Sequence, residues 1–306
     1  MKAFLLCPGQ GAQRLGMGKD LAERFPAARD VFGAVDDALG FALSRIMWEG
    51  PESELTRTHN AQPAILAHSL AVHAVLRDRL EPVGAAGHSL GEYSAYTALG
   101  AMTLEDGVRL VRRRAELMLV AGEQRPGAMA AVLGLDADDV TTICREVSNG
   151  SGVVVAANMN APGQVVISGD TATVARAAVA LTTAGARRVI GLKVSGAFHS
   201  PLMEPVLVEF LPELERVALR DPPVPVVANA TAEPVRDATT ARQRLGEQLM
   251  APVRWVESMQ AAASMSHGAA FVEIGPGNVL TGLLKRIVDG AKTVNVATAA
   301  DIDRMG

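Results

Sequence analysis

A chain of 306 residues is long enough for one large domain, or for a domain with a smaller one inserted in it. Its 49% hydrophobic and 4% aromatic residues predict a core built mainly from Ala, Val, Leu and Ile. The net charge of −4 argues against a nucleic-acid-binding protein, and no stretch has the roughly 18 consecutive apolar residues of a membrane span.

The first half of the chain alternates between strand-like and helix-like segments, which predicts an α/β fold. Residues 3–7 are predicted to form a buried strand, because the apolar run is too short for a signal sequence and Pro8 and Gly9 end it. A loop, a helix, a strand and two more helices are predicted after it, over residues 8–13, 63–80, 83–87, from 90 onward and 104–121.

A different pattern begins near residues 124–127 and predicts an inserted subdomain. Four strands and two helices follow in the order β-α-β-β-α-β of the ferredoxin-like arrangement, with strands at 128–133, 153–157, 165–168 and 188–192 and helices at 138–147 and 171–184. Strands at 226–229, 270–274 and 294–297 resume the first pattern, after a linker at 222–225 and before a loose tail at 298–306. The predicted fold class is α/β: a large α/β-hydrolase-like domain with a central, mostly parallel sheet (residues 1–124 and 194–306) and an inserted ferredoxin-like subdomain (residues 125–193).

The segment GHSLGE at residues 87–92 places the hydroxyl of Ser89 between two glycines. Because glycine has no Cβ, Gly87 and Gly91 allow a strand to turn sharply into a helix, with the serine Oγ exposed at the apex. Nucleophilic serines of α/β hydrolases lie on such turns, but the same serine can simply cap the helix. The motif alone leaves both interpretations open.

A serine nucleophile needs a base, and His199 is the best placed of the six histidines. It lies in the loop where the predicted subdomain returns to the main domain, and sites of α/β proteins form in loops at strand ends. His88 adjoins Ser89, but consecutive side chains point apart, and His68 and His73 do not share a helix face. His199 could equally cap the helix that follows it.

The loop PGQGAQ at residues 8–13 lacks the spacing of dinucleotide-binding and P-loop motifs. Its glycines flank Gln10, whose backbone N–H can therefore approach a ligand closely. Together with the N–H of Leu90, which follows Ser89, it could form an oxyanion hole.

Arg114 lies on the apolar side of the helix predicted at residues 104–121. At about 100° per residue it falls about 60° from Val111, whereas Arg109, Arg112 and Arg113 lie on the polar side. A guanidinium that faces the core needs an acidic partner, which is either an Asp or Glu of the chain or an acidic substrate. No acid in the sequence suggests itself as the third member of a catalytic triad, so a backbone carbonyl or a side-chain amide would orient the base.

Four segments in order resemble the malonyl-CoA:acyl carrier protein transacylase family of type II fatty acid synthesis, which is related to polyketide synthase acyltransferase domains. These segments are PGQGAQ at 8–13, GHSLGE at 87–92, GAFHS at 196–200 and GPG at 275–277. The resemblance implies site residues in four roles, which are the dyad Ser89 and His199, the oxyanion-hole N–H groups of Gln10 and Leu90, the carboxylate-binding Arg114, and the carbonyl of Gln248 that orients the histidine. It associates Phe198 with malonyl rather than methylmalonyl substrates. Cys7 stands where the family more often has Phe, a change that touches no proposed chemical group.

The resemblance also implies malonyl-CoA and an acyl carrier protein as partners, with a coenzyme A thioester as substrate, no bound cofactor or metal, and a monomeric state. Two widely spaced cysteines, Cys7 and Cys144, predict reduced core thiols and hence a cytoplasmic protein. Carrier proteins are acidic, so five basic residues are docking candidates, although each can also belong to a solvated surface: Arg187, Arg188, Lys193, Lys285 and Arg286. The alternatives are a polyketide-pathway acyltransferase, a serine hydrolase of thioesters or esters, and a non-catalytic carrier-binding module.

Overall fold

The computed structural model describes residues 1–148, 150, 152–194 and 196–305. The strands of this part of the chain are β1 (Lys2–Cys7), β2 (Glu81–Gly87), β3 (Gly127–Leu133), β4 (Val154–Ala161), β5 (Gln164–Asp170), β6 (Arg188–Gly191), β7 (Val226–Val227), β8 (Pro234–Val235), β9 (Ala270–Ile274) and β10 (Thr293–Val296). They form a sheet of six strands in the order β10-β9-β1-β2-β7-β8 and a sheet of four in the order β4-β5-β3-β6.

The larger sheet is parallel except at one edge, where β8 runs antiparallel to β7. Strand β1 lies in its centre, and its residues 3–7 are fully buried, as expected for a strand covered on both faces. The smaller sheet is entirely antiparallel, and its strands alternate with two helices in the predicted β-α-β-β-α-β order. The predicted α/β class, with a mostly parallel central sheet and a separate antiparallel sheet, is confirmed.

The helices are α1 (Lys19–Arg24), α2 (Pro26–Leu39), α3 (Leu43–Glu49), α4 (Glu52–Thr56), α5 (Thr58–Leu76), α6 (Leu90–Ala98), α7 (Leu104–Gln124), α8 (Ala137–Val147), α9 (Thr171–Thr183), α10 (Glu204–Arg216), α11 (Ala238–Glu247), α12 (Trp255–Ser266), α13 (Val279–Ile287) and α14 (Ala299–Arg304). Helix α5 begins five residues before Pro63, the predicted first residue, and the helical turn before that proline is largely buried. Within the described residues, no helix combines the length and apolar character needed to cross a membrane.

The predicted loose tail is wrong for most of its length, because residues 299–304 form helix α14. The Thr298 side chain accepts a hydrogen bond from the Asp301 N–H, and the Asp301 carboxylate accepts one from the Thr298 N–H, which makes a capping box. Ile302 is fully buried against the main core, so the helix is docked and not free. Gly306, the last residue of the predicted tail, lies outside the described residues.

Candidate active site

Ser89 lies at the turn between strand β2 and helix α6, with the unusual backbone angles φ 52° and ψ −111°. The turn is so tight that a Cβ on Gly87 would come within 1.9 Å of the Gly91 backbone, and one on Gly91 within 2.1 Å of the Cys7 carbonyl oxygen. Both glycines of the motif are therefore required by packing. The strained turn presents the serine Oγ at the wall of a cavity.

His199 reaches this hydroxyl from the loop before helix α10, with 2.8 Å between its Nε2 and the Ser89 Oγ. Its Nδ1 lies 2.7 Å from the main-chain carbonyl oxygen of Gln248, which can only accept, so Nδ1 carries the proton and donates it. Nε2 is therefore free to accept the serine proton. Burial, and next the charge of Arg114, lower the pKa of His199 to about 3, which keeps the imidazole neutral near pH 7.

Arg114 is fully buried, as the periodicity of its helix predicts. Its Nη1 donates to the Gln62 Oε1 at 2.7 Å, and its Nη2 donates to the Ser89 Oγ at 3.1 Å and to the Gln248 Oε1 at 3.0 Å. These acceptors are all neutral, and the Arg114 guanidinium forms no ion pair with any acid among the described residues. A buried cation beside the Ser89 hydroxyl and in direct contact with no carboxylate of the described residues suits an anionic ligand.

The loop that holds Gln10 packs directly against the serine turn, since a Cβ on Gly9 would lie 2.6 Å from the His88 carbonyl oxygen. Within the described part of the chain, the backbone N–H groups of Gln10 and Leu90 have no hydrogen-bond acceptor. The Gln10 side chain is fixed by Thr58 and Gln62. Two unsatisfied donors next to a serine hydroxyl are the arrangement that an oxyanion hole requires.

A cavity of about 320 Å³ opens over Ser89 and separates the two sheets. Loops after β1 and β2 of the larger sheet contribute Gln10 and Ser89 to the lining, and the loop between β6 and α10 contributes His199. The smaller sheet contributes residues such as Asn158 and Asn160. The size falls in the range of small-molecule sites. Both cysteines are free and buried, away from this lining.

His88 is not a partner of the Ser89 hydroxyl, in agreement with the expectation that adjacent side chains point apart. Its Nε2 lies 2.8 Å from the Asn160 Oδ1 on strand β4, so it links the serine turn to the smaller sheet. The segment that follows Gln248 is joined to the same strand, because Val253 exchanges backbone hydrogen bonds with Ala157 and Met159.

Three polar residues that are not among the predicted site residues complete this arrangement. Gln62 joins the side chain of Gln10 to Arg114, and Asn229 binds the N–H of Ser89 through its Oδ1 at 2.7 Å. Glu92 is the last residue of the GHSLGE segment, and its side chain is fully buried. Asn229 follows the short strand β7, and a polar residue at the carboxyl end of a parallel strand is a signal that could have found it.

Five basic side chains named from the sequence are all exposed: Arg187, Arg188, Lys193, Lys285 and Arg286. Lys193 lines the mouth of the cavity. Arg286 is held by the carbonyl of Pro162 and the side chain of Gln164, at the turn between β4 and β5. Within the described residues, none of the five forms an ion pair with an acid.

Nearly the whole chain matches one protein family. Residues 4–304 match the model of the acyl transferase domain. The malonyl CoA-acyl carrier protein transacylase of Bacillus subtilis (strain 168) is 42% identical over 304 residues, which cover 99% of this chain and 95% of that protein. The enzyme of the same name from Haemophilus influenzae is 39% identical and covers 99% and 98% of the two chains.

Solved structures give the same result. The acyl-carrier-protein S-malonyltransferase of Bartonella henselae is 42% identical, with a TM-score of 0.93 over 99% of this chain and 98% of that one. A malonyl-transacylase in complex with its type II polyketide synthase acyl carrier protein is 39% identical, with a TM-score of 0.94 and the same coverage of 99% and 98%.

Proposed function

Since this chain belongs to the acyl transferase domain family, we propose that it transfers a malonyl group from malonyl-CoA to the phosphopantetheine thiol of an acyl carrier protein. The observation that carries the proposal is the double contact of the Ser89 Oγ with the His199 Nε2 and the Arg114 Nη2. A nucleophile that touches both a neutral base and a buried cation fits a thioester whose acyl group ends in a carboxylate.

Acylation uses His199 first as a base and then as an acid. The Ser89 Oγ attacks the thioester carbonyl carbon as its proton passes to the His199 Nε2, and the N–H groups of Gln10 and Leu90 stabilise the oxyanion. When the carbon–sulfur bond breaks, the thiolate of coenzyme A takes that proton from the imidazolium. A malonyl ester remains on Ser89.

Transfer to the carrier protein reverses these steps. His199 accepts the proton of the phosphopantetheine thiol, and the sulfur attacks the ester carbonyl through a second oxyanion. The Ser89 oxygen leaves and takes the proton back from His199, which regenerates the free enzyme. The two half-reactions share one site, so coenzyme A must leave before the carrier thiol enters, which is a ping-pong order.

Arg114 binds the malonyl carboxylate in both half-reactions. Nη1 donates to Gln62 and keeps a second N–H, while one Nη2 N–H is released when the Ser89 oxygen becomes part of an ester. These two N–H groups can bind the carboxylate. An uncharged acyl group would leave these two buried N–H groups of the guanidinium without an acceptor, which opposes its binding.

The chain organisation is part of the proposal. A large domain (residues 1–124 and 194–306) supplies the reacting groups, and a small subdomain (residues 125–193) covers the cavity from the other side. We propose that the acidic carrier protein docks on the exposed basic residues near the cavity, among which Lys193 lines it. The protein acts as a cytoplasmic monomer without a bound cofactor or metal.

Replacing Arg114 by alanine should lower the rate of acylation by malonyl-CoA by about 10²- to 10³-fold, as expected when a buried charge pair is broken. Acetyl-CoA needs no carboxylate partner, so its rate should stay the same or rise. The matched control is Arg113→Ala, on the same helix, which removes only an exposed ion pair with Glu209. Rates with both thioesters give the selectivity, and an unchanged ratio in Arg114→Ala contradicts this role.

The products distinguish a transferase from a hydrolase that uses the same serine and histidine. The protein is incubated with malonyl-CoA, with and without phosphopantetheinylated acyl carrier protein. Malonyl-carrier should accumulate when the carrier is present, with free coenzyme A in equal amount. Free malonate as the main product in both samples would indicate that water, and not the thiol, is the acceptor.

A further inference from the structure

Glu92 on helix α6 is a buried acid to which the mechanism above gives no role. Its side chain is fully buried beneath the serine turn. One carboxylate oxygen, Oε2, accepts a hydrogen bond from the backbone N–H of Asn229 at 3.1 Å and another from the Gln248 Nε2 at 2.7 Å. The other oxygen, Oε1, has no hydrogen-bond partner among the described residues. Burying a carboxylate oxygen without a hydrogen-bond partner costs folding free energy. The cost suggests that the carboxylate has a function in the site.

The two residues bound by Glu92 hold the reacting groups. The Asn229 side chain bridges the serine turn, since its Oδ1 accepts from the Ser89 N–H and its Nδ2 donates to the Gly87 carbonyl, each at 2.7 Å. Gln248 accepts from His199 through its main-chain oxygen and from Arg114 through its Oε1. The Oε2 atom of Glu92 thus binds both Asn229 and Gln248, the two residues that contact Ser89, His199 and Arg114.

We propose that Glu92 is a positioning residue, whose ionised carboxylate fixes Asn229 and Gln248 and through them aligns Ser89, His199 and Arg114. The inference deepens the proposed function and rests on it for the roles of those three groups.

The charge of Glu92 matters because the carboxylate, together with the Ser89 carbonyl oxygen, fixes which way the Gln248 amide points: Nε2 donates to Glu92 Oε2 at 2.7 Å and to the Ser89 oxygen at 3.0 Å. An ionised carboxylate can only accept hydrogen bonds, so it requires the NH₂ end of the amide, and the oxygen end is left for Arg114. A protonated carboxyl group could donate to the amide oxygen instead. The reversed amide would then present its NH₂ to the guanidinium, which is also a donor, and its oxygen to the Ser89 carbonyl, so Arg114 and the serine turn would each lose a hydrogen bond.

Burial raises the pKa of Glu92 to about 7, although hydrogen bonds from Gln248 and Asn229 and the charge of Arg114 oppose the rise. The other titratable groups that face it keep their charge between pH 6 and 8. Burial raises the pKa of both Tyr93 and Tyr96, so they stay neutral, and Arg114 stays cationic. His199 has its pKa lowered to about 3 and stays neutral. Glu92 is therefore the group that changes charge here, and its protonated, less active form grows as the pH falls through 7.

The test compares the wild-type protein with Glu92→Gln, which keeps the shape and an accepting oxygen but removes the charge. The rate of Ser89 acylation by malonyl-CoA in a single turnover should fall about 10²-fold at pH 8, the loss typical of a misplaced reacting group. The wild-type rate should fall about tenfold from pH 8 to pH 6, as one proton binds, and the rate of Glu92→Gln should stay flat.

The matched control is Glu273→Gln, which also removes a fully buried carboxylate bonded to two donors, the N–H groups of Leu280 and Thr281 at the start of α13. Glu273→Gln should keep the wild-type rate and pH profile, although it lowers the melting temperature about as much as Glu92→Gln does. Equal rate losses in the two variants, a wild-type rate in Glu92→Gln, or a wild-type profile that is flat near pH 7 would each overturn the inference.

A second readout separates this inference from the proposed function. A fluorophosphonate labels an activated serine without any need for malonyl-CoA or a carrier protein. If the wild-type protein is not acylated by malonyl-CoA, the proposed function fails, and the labelling rates at pH 6 and 8 still decide the role of Glu92. The same losses are expected with this reagent, and their absence overturns the positioning role.

Discussion

Ser89→Ala should give a folded protein that forms no malonyl adduct and transfers malonyl groups at least about 10⁴-fold more slowly, since the attacking oxygen is gone. His199 and Arg114 would remain in place, so malonyl-CoA should still bind. Transfer is followed by the appearance of malonyl-carrier. The left-handed backbone at this position, with φ 52°, adds only a modest strain for alanine.

A matched control for this variant is Ser94→Ala, on helix α6 directly after the turn that holds Ser89. The Ser94 hydroxyl is buried and has no hydrogen-bond partner within the described residues, so its removal should leave the transfer rate unchanged. A malonyl adduct that persists in Ser89→Ala, or an equal loss of transfer in Ser94→Ala, would contradict the assignment of the nucleophile.

His199→Ala should reduce both half-reactions by about 10³- to 10⁴-fold, because each needs a base and then an acid at the position of Nε2. The residue has a positive φ of 57°, a conformation that asparagine tolerates better than alanine. His199→Asn should nevertheless be as slow as His199→Ala if the loss is chemical. Recovery of activity in the asparagine variant, or near-normal rates in either variant, would show that another residue acts as the base.

The use of a carbonyl in place of an acid follows from the geometry around His199. The Gln248 main-chain oxygen selects the tautomer that leaves Nε2 free, as a carboxylate would, but it adds no charge. A carboxylate in direct contact with Arg114 would compete for the guanidinium with the carboxylate of the substrate, whereas Glu92 reaches Arg114 only through the Gln248 amide. The neutral carbonyl thus suits a site that must bind a dicarboxylic acyl group.

The parts of the site that the sequence predicts are those tied to a local pattern. Ser89 follows from two glycines whose Cβ atoms would collide with backbone, and Arg114 from a helix on which it faces the apolar side. Both depend on spacing over a few residues. The α/β class and the inserted antiparallel sheet also follow from the order of local elements.

The parts that it does not predict depend on contacts between distant segments. Gln62 lies before Pro63, which the sequence analysis takes as the start of a helix, so the buried turn that contains Gln62 is missed. No element is predicted between residues 14 and 62, where the structure has helices α1 to α4. Asn229 comes next to Ser89 and Glu92 because strand β7 pairs with strand β2, a contact between segments far apart in the chain.

The central claim is that Ser89 carries the acyl group while Arg114 selects it, and intact-protein mass spectrometry tests this directly. The wild-type protein is mixed with malonyl-CoA, methylmalonyl-CoA and acetyl-CoA in separate samples, and each adduct is located by peptide mapping. The expected result is one malonyl group on Ser89, with little adduct from the other two thioesters. No adduct with malonyl-CoA, an adduct on a different residue, or equal labelling by acetyl-CoA would contradict the account.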